Sequence, residues 1–137
     1  MSITPNEMLV SAEVLAEGAS EIHYRNSVSR AYYSAMHEAQ TLLPQQRPES
    51  EFRGSSHDAL IASLKAAFRM PTSGRQQGAS VAGNLAAMKG ARKVADYRLA
   101  ADVSEIDAQI CLRRAHDVFA ACARIRDLRL KNQNLDQ

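Results

Sequence analysis

Tryptophan is absent from this 137-residue chain, and its aromatic complement is three Phe and four Tyr. A core must then be built from Ala, Leu, Ile, Val and Met, and an alanine-rich core implies closely packed helices. Only two cysteines occur, Cys111 and Cys122. They fall on one predicted helix, ~16 Å apart along its axis and far beyond disulfide reach, so both read as buried structural thiols. His23, His57 and His116 are scattered without ligand spacing, no Cys or His pair forms a zinc pattern, and the acids do not gather around Arg30. No metal and no cofactor are expected. A glycine-rich phosphate loop is also missing, and the Gly-x3-Gly run from Gly74 to Gly78 reads as a flexible connection. The apolar runs are too short to span a bilayer, and the N-terminus lacks the basic and apolar regions of a secretory signal. A cytoplasmic location without a membrane partner is the expectation.

What is present has helical periodicity throughout, with no internal repeat and no alternation of period two. Hydrophobic residues make up 45% of the chain, and the length suits one domain with a sizeable core. Thr4, Pro5 and Glu7 supply an N-cap, a first-turn proline and a capping-box acid, with Met8, Ala12 and Leu15 on one face and Gly18 as the stop. A second helix follows Ser20 and runs to about residue 43. Residues 44–54 form a polar loop with two prolines. Ser55 or Ser56 caps a third helix bearing Leu60, Ile61, Leu64 and Phe68, which a loop over residues 70–78 ends. Val81, Leu85, Met88 and Val94 mark a fourth. Ser104 with Asp107 caps the last, whose Ile106, Ile110, Val118, Cys122 and Ile125 form a buried stripe. The expected fold is all-α: a single-domain up-and-down bundle of four to five helices over residues 1–130, with a fraying tail over 131–137.

The second helix carries the most informative pattern. Tyr24, Val28, Ala31, Tyr32, Ala35, Met36, Ala39, Leu42 and Leu43 fall in one apolar arc. His23, Asn26, Ser27, Arg30, Tyr33, Ser34, His37 and Thr41 fill the opposite one. Arg30 and His37 stand seven residues apart, and seven steps of about 100° return to within ~20° of the start, ~10 Å up the axis. A permanent cation is thus aligned with the side chain that titrates near neutral pH. Such a pair can handle a phosphodiester without metal. The small Ser27, Ser34 and Thr41 along the same stripe would admit a second helix or a nucleic-acid backbone. An Arg and a His on the outer face of an amphipathic helix are ordinarily solvated surface residues, so spacing alone does not establish a site.

Net charge is only +2, but its distribution is uneven. Residues 65–98 carry Lys65, Arg69, Arg75, Lys89, Arg92, Lys93 and Arg98 against Asp96 alone. Such a segment can neutralise phosphates in a salt-dependent way, or it can be a solvated face paired with the acidic N-terminal half. Arg92 and Asp96 are spaced i,i+4 and form a local ion pair that can orient a neighbouring site.

The segment Ser29-Arg-Ala-Tyr-Tyr-Ser-Ala-Met-His37, followed by Glu38-Ala-Gln-Thr-Leu-Leu43, resembles the signature helix of the HEPN (higher eukaryotes and prokaryotes nucleotide-binding) superfamily, whose members carry an Arg-x4-6-His motif. Downstream, Arg92-Lys-Val-Ala-Asp-Tyr97 is similar to the Arg-x-x-Ala-Asp-Tyr segment of small prokaryotic HEPN proteins, and Ser56-His57 stands where many relatives place a Ser-His pair. The resemblance covers roughly residues 20–125. It implies a metal-independent endoribonuclease of a toxin-antitoxin or defence system, acting as a homodimer in which the motif helices of two protomers meet. His37 would transfer the proton and Arg30 would stabilise the phosphoryl oxygens during attack of an RNA 2′-hydroxyl, with Tyr33, Ser34, Arg92, Asp96 and Tyr97 supporting the site or binding substrate. Packing at the dimer interface is the other role open to Tyr33. The implied partners are RNA and a cognate antitoxin, for which a minimal nucleotidyltransferase is the model. The alternative is a non-catalytic HEPN module that binds nucleotide or RNA, or that partners such a nucleotidyltransferase. Ala31 stands where many HEPN ribonucleases have a polar residue after the motif Arg, and Glu38-Ala39 replace the His-x-Tyr extension through which some toxins are silenced.

Overall fold

The computed structural model describes residues 2–42 and 72–135, and all regular structure among them is α-helical. Helix α1 spans Pro5–Ala16, α2 Glu21–Gln40, α3 Thr72–Tyr97 and α4 Glu105–Leu135. The expected third helix with its Ser55 or Ser56 cap, the loop over 44–54, Leu43, the Ser56-His57 pair, Lys65 and Arg69 lie outside the described residues.

Local chemistry sets the helix ends. The Thr4 hydroxyl accepts from the Glu7 N–H at 3.1 Å, with Pro5 in the first turn where its missing N–H is not needed. At the other end of α1, Gly18 gives space rather than an unusual backbone angle, since a Cβ there would lie 2.3 Å from His23 Cγ. Ser104 and Asp107 close a reciprocal cap on α4: the Ser104 N–H donates to Asp107 Oδ2 at 2.9 Å, and the Asp107 N–H donates to Ser104 Oγ at 3.2 Å.

Helix α2 is central and packs against α1, α3 and α4. Its Val28, Ala31, Tyr32, Ala35, Met36 and Ala39 enter the core with Leu9 and Ala12 of α1, Val81, Leu85 and Met88 of α3, and Ala115, Val118 and Ile125 of α4. Alanines recur at the helix contacts, as the lack of large aromatics requires. Tyr32 is the one aromatic side chain that is fully buried among the described residues.

Three sequence expectations change. Gly74 and Gly78 belong to α3, which begins at Thr72, so residues 72–78 are not a loop. Each helical glycine costs about 1 kcal/mol relative to alanine, a cost that tertiary packing offsets; Gly78 is buried. Ile106 and Ile110 are 70% and 49% exposed rather than part of the α4 stripe. At 100° per residue they stand ~120° and ~80° around the helix from Val118, and the buried line instead follows Cys111, Ala115, Val118, Cys122 and Ile125. Finally, α4 continues to Leu135, past Lys131, with no proline or glycine to stop it.

Both cysteines are free and buried. Burial pushes the Cys111 thiol up to about 11 and the Cys122 thiol up to about 12. Because the thiolate is the reactive form, neither should react with an alkylating reagent at pH 8 over a period in which both react fully in denaturant. Mass spectrometry of the quenched protein checks this, and rapid native labelling of either would contradict its placement.

Candidate functional site

The surface of α2 is narrowed from two sides. On one side α1 meets Ser27, which like Ser34 two turns on is 0% exposed. Ser27 Oγ donates to the Ala12 carbonyl of α1 at 2.7 Å, and Ser34 Oγ to the Ala31 carbonyl of its own helix at 2.7 Å. The two serines expected on the outer stripe are therefore inside, and at Ser27 the small residue does admit a helix, but one of the same chain. Ser34 is not presented to any substrate.

On the other side lies the end of α3. Ser29 Oγ donates to Asp96 Oδ2 at 3.2 Å, and Arg92 stands 3.7 Å from the same oxygen. The expected ion pair between Arg92 and Asp96 is present, though Arg92 is not a solvated cation. Its side chain is 7% exposed, and the guanidinium carbon lies 5.7 Å from the Tyr32 and Tyr33 ring centroids and 5.6 Å from that of Tyr97. Arg92 Nε is buried without a hydrogen-bond partner among the described residues. Lys89 is buried as well, so two of the cations in the basic segment face inward.

Between these walls remains a strip of exposed side chains: Asn26, Arg30, His37, Gln40 and Thr41, with Tyr33 half-buried along it. Arg30 makes no hydrogen bond or ion pair among the described residues. It borders a hollow of about 440 Å³ that is also lined by Leu15, Asn26, Ser29 and Tyr33. Tyr33 meets Tyr32 edge-on, with centroids 5.4 Å apart, and so ties the strip to the Arg92 cluster. His37 lies two turns farther along, outside the lining of that hollow. Its Nδ1 is 3.1 Å from Gln40 Oε1; a carbonyl oxygen only accepts, so Nδ1 is the donor in this contact and Nε2 takes no part in it.

Arginines that the sequence reading passed over hold both ends of the strip. Arg25 is 6% exposed. Its Nη1 donates to the carbonyls of Val94, Ala95 and Arg98 at 3.2, 2.9 and 3.2 Å, and its Nη2 reaches the carbonyls of Leu99 and Ala101. The Glu21 carboxylate completes this lock by accepting from Arg25 Nη2 and from the Val103 N–H, both at 3.0 Å. The Val103 N–H, followed by Arg25, holds the Glu21 carboxyl below the usual carboxylate range. At the far end of α2, Arg126 of α4 pairs with Glu38 at 2.7 Å and reaches the Thr41 hydroxyl, while Arg129 donates to the Leu42 carbonyl at 2.8 Å. A cation at a helix C-terminus satisfies orphan carbonyls and suits the helix dipole. The i,i+4 spacing of Glu21 and Arg25 was the only sequence signal for the first lock, and it indicates a surface pair rather than carbonyl capture.

Among the described residues no group of His, Cys, Asp and Glu is placed to hold a metal ion, and no helix is long and apolar enough to cross a membrane. No family model, curated protein or solved structure matches the chain.

Proposed function

We propose that the protein is a metal-independent endoribonuclease of the HEPN type, built as an up-and-down bundle and active as a homodimer in a toxin-antitoxin or defence setting. The observation that carries this reading is Arg30. It is an exposed cation without an ion-pair or hydrogen-bond partner among the described residues, beside a hollow on the same strip as His37. In the mechanism, the RNA 2′-hydroxyl attacks the adjacent phosphorus and the 5′-oxygen of the next nucleotide leaves. His37 Nε2 takes or gives the proton, and Arg30 stabilises the extra negative charge on the phosphoryl oxygens. Within one chain the two residues are separated by ~10 Å of helix rise. Apposed strips of two protomers would bring Arg30 and His37 pairs into one cleft, where one phosphate can meet both groups.

The mechanism requires the 2′-hydroxyl of one nucleotide and no other. An RNA cleaved at a defined bond should therefore resist cleavage when a single deoxynucleotide is placed 5′ to that bond, while bonds elsewhere in the strand are cut as before. Denaturing electrophoresis of the paired oligonucleotides reads this, and equal cleavage of both would contradict 2′-hydroxyl attack. A second reading, a non-catalytic RNA-binding module or a helical partner of a nucleotidyltransferase, is favoured by Ala31. The residue after Arg30 is 0% exposed and brings no polar group to the strip.

A further inference from the structure

Asp96 and Tyr97 end α3 beside the Arg30 strip, and their geometry is not accounted for by the ion pair with Arg92. Both polar contacts of the Asp96 carboxylate fall on Oδ2. Oδ1 has no partner among the described residues, and the side chain is 30% exposed. Next to it, Tyr97 is 72% exposed. Exposed tyrosines are common, but this ring has the buried Arg92 guanidinium 5.6 Å from its centroid, which steadies it while leaving most of its surface open. A steadied aromatic surface beside a free carboxylate oxygen is the arrangement that stacks a base and reads its edge.

We propose that Tyr97 and Asp96 form a guanine subsite. The base stacks on the Tyr97 ring, and the Asp96 carboxylate accepts from N1–H and N2–H₂ through Oδ1 and the remaining lone pair of Oδ2. Guanine is selected because it alone among the four RNA bases has two adjacent donors on its Watson–Crick edge. Adenine and cytosine each place a ring-nitrogen acceptor beside the amino group, which the carboxylate repels. Uracil has a single N–H between two carbonyl oxygens. This inference rests on the ribonuclease reading for its position in the substrate. Ser29 touches Asp96 and Tyr33 touches Arg92, and both also line the hollow beside Arg30, so the guanosine flanks the phosphate held there.

The test measures binding rather than cleavage. Full-length protein carrying His37→Ala is titrated, with fluorescence anisotropy as the readout, against labelled single-stranded oligonucleotides that differ only in a central guanosine, inosine or uridine. Inosine keeps N1–H and lacks the N2 amino group, so the comparison needs no change at Asp96. Guanosine should bind on the order of tenfold more tightly than either of the others, since a hydrogen bond to a charged group is lost in each. Tyr97→Ala should weaken guanosine binding by about tenfold while Tyr97→Phe leaves it unchanged, as stacking requires. Asp96→Asn should remove the difference between guanosine and inosine. Equal affinity for the three oligonucleotides, no binding to any of them, or full affinity in Tyr97→Ala would overturn the subsite. Failure of the wild type to cleave RNA bears on the ribonuclease reading alone and leaves this comparison intact.

Discussion

Replacing Arg25 with alanine is expected to destabilise the fold by about 3–5 kcal/mol, because it removes the buried partner of several carbonyls and of a carboxylate at once. For a domain of this size that lowers the melting temperature by about 10–20 °C. The side chain links the first turn of α2 to the last turn of α3 and to the residues that lead into α4. Without it the carbonyls of Ala95 and Ala101 lose their guanidinium donor, and the Glu21 carboxylate loses its cation. Arg25→Lys should recover only part of the loss, since an ammonium group cannot reach the same spread of acceptors. Arg113→Ala, at an exposed position of α4, is the control and should stay within about 0.5 kcal/mol of wild type. Circular dichroism melts measure all three, and an Arg25→Ala melt within a degree or two of wild type would refute the lock. The lock also has a pH signature. The Glu21 carboxyl is held below its usual value, so its contribution is fully present above the ordinary glutamate range and is lost as pH falls through the lowered value.

The second large effect is on chemistry and not on stability. On the proposed ribonuclease mechanism His37→Ala removes proton transfer, which is worth about 10²–10⁴ in rate, and Arg30→Ala removes charge stabilisation at the phosphate, worth about 10²–10³. Neither side chain contributes to the core: both are exposed, and among the described residues their one polar contact is the exposed one from His37 to Gln40. Each variant should therefore melt within about 2 °C of wild type, as surface substitutions do. In that mechanism the two groups serve one transition state, so the double variant should lose less than the product of the single losses. A large drop in melting temperature for either would move that residue off the strip. Multiplicative losses would separate the two residues into independent roles.

Helical periodicity made the α2 core arc legible in the sequence. Val28, Ala31, Tyr32, Ala35, Met36, Ala39 and Leu42 are all buried as the wheel placed them, and Arg30 and His37 face outward. Cap chemistry located the starts of α1 and α4 because Thr4 and the Ser104-Asp107 pair act on neighbouring backbone groups. Long-range packing was not legible. A wheel sorts residues by polarity, so Ser27 and Ser34 went to the outer arc. The Ser27 hydroxyl instead bonds to the Ala12 carbonyl of α1 and the Ser34 hydroxyl to the Ala31 carbonyl of its own helix, which lets small polar residues lie inside. The same rule reads Arg92 as part of a solvated face and gives no place to Arg25, since burial of a guanidinium depends on carbonyls and rings from other elements. Ile106 and Ile110 erred the other way, because hydrophobicity alone does not set which side of α4 meets α2. For the site, the strip and the Arg92-Asp96 pair followed from spacing, whereas the Arg30 hollow and the tyrosine cluster required the placement of α1 and α3.

The central claim is that Arg30 and His37 cleave RNA without metal, and its most direct test is a side-by-side assay. Wild-type protein and the His37→Ala variant are incubated with labelled single-stranded RNA in excess EDTA, and the fragment ends are identified. Cleavage by the wild type alone, leaving 2′,3′-cyclic phosphate ends, is the predicted result. Equal cleavage by the two proteins, or wild-type fragments with 3′-hydroxyl ends, would contradict it.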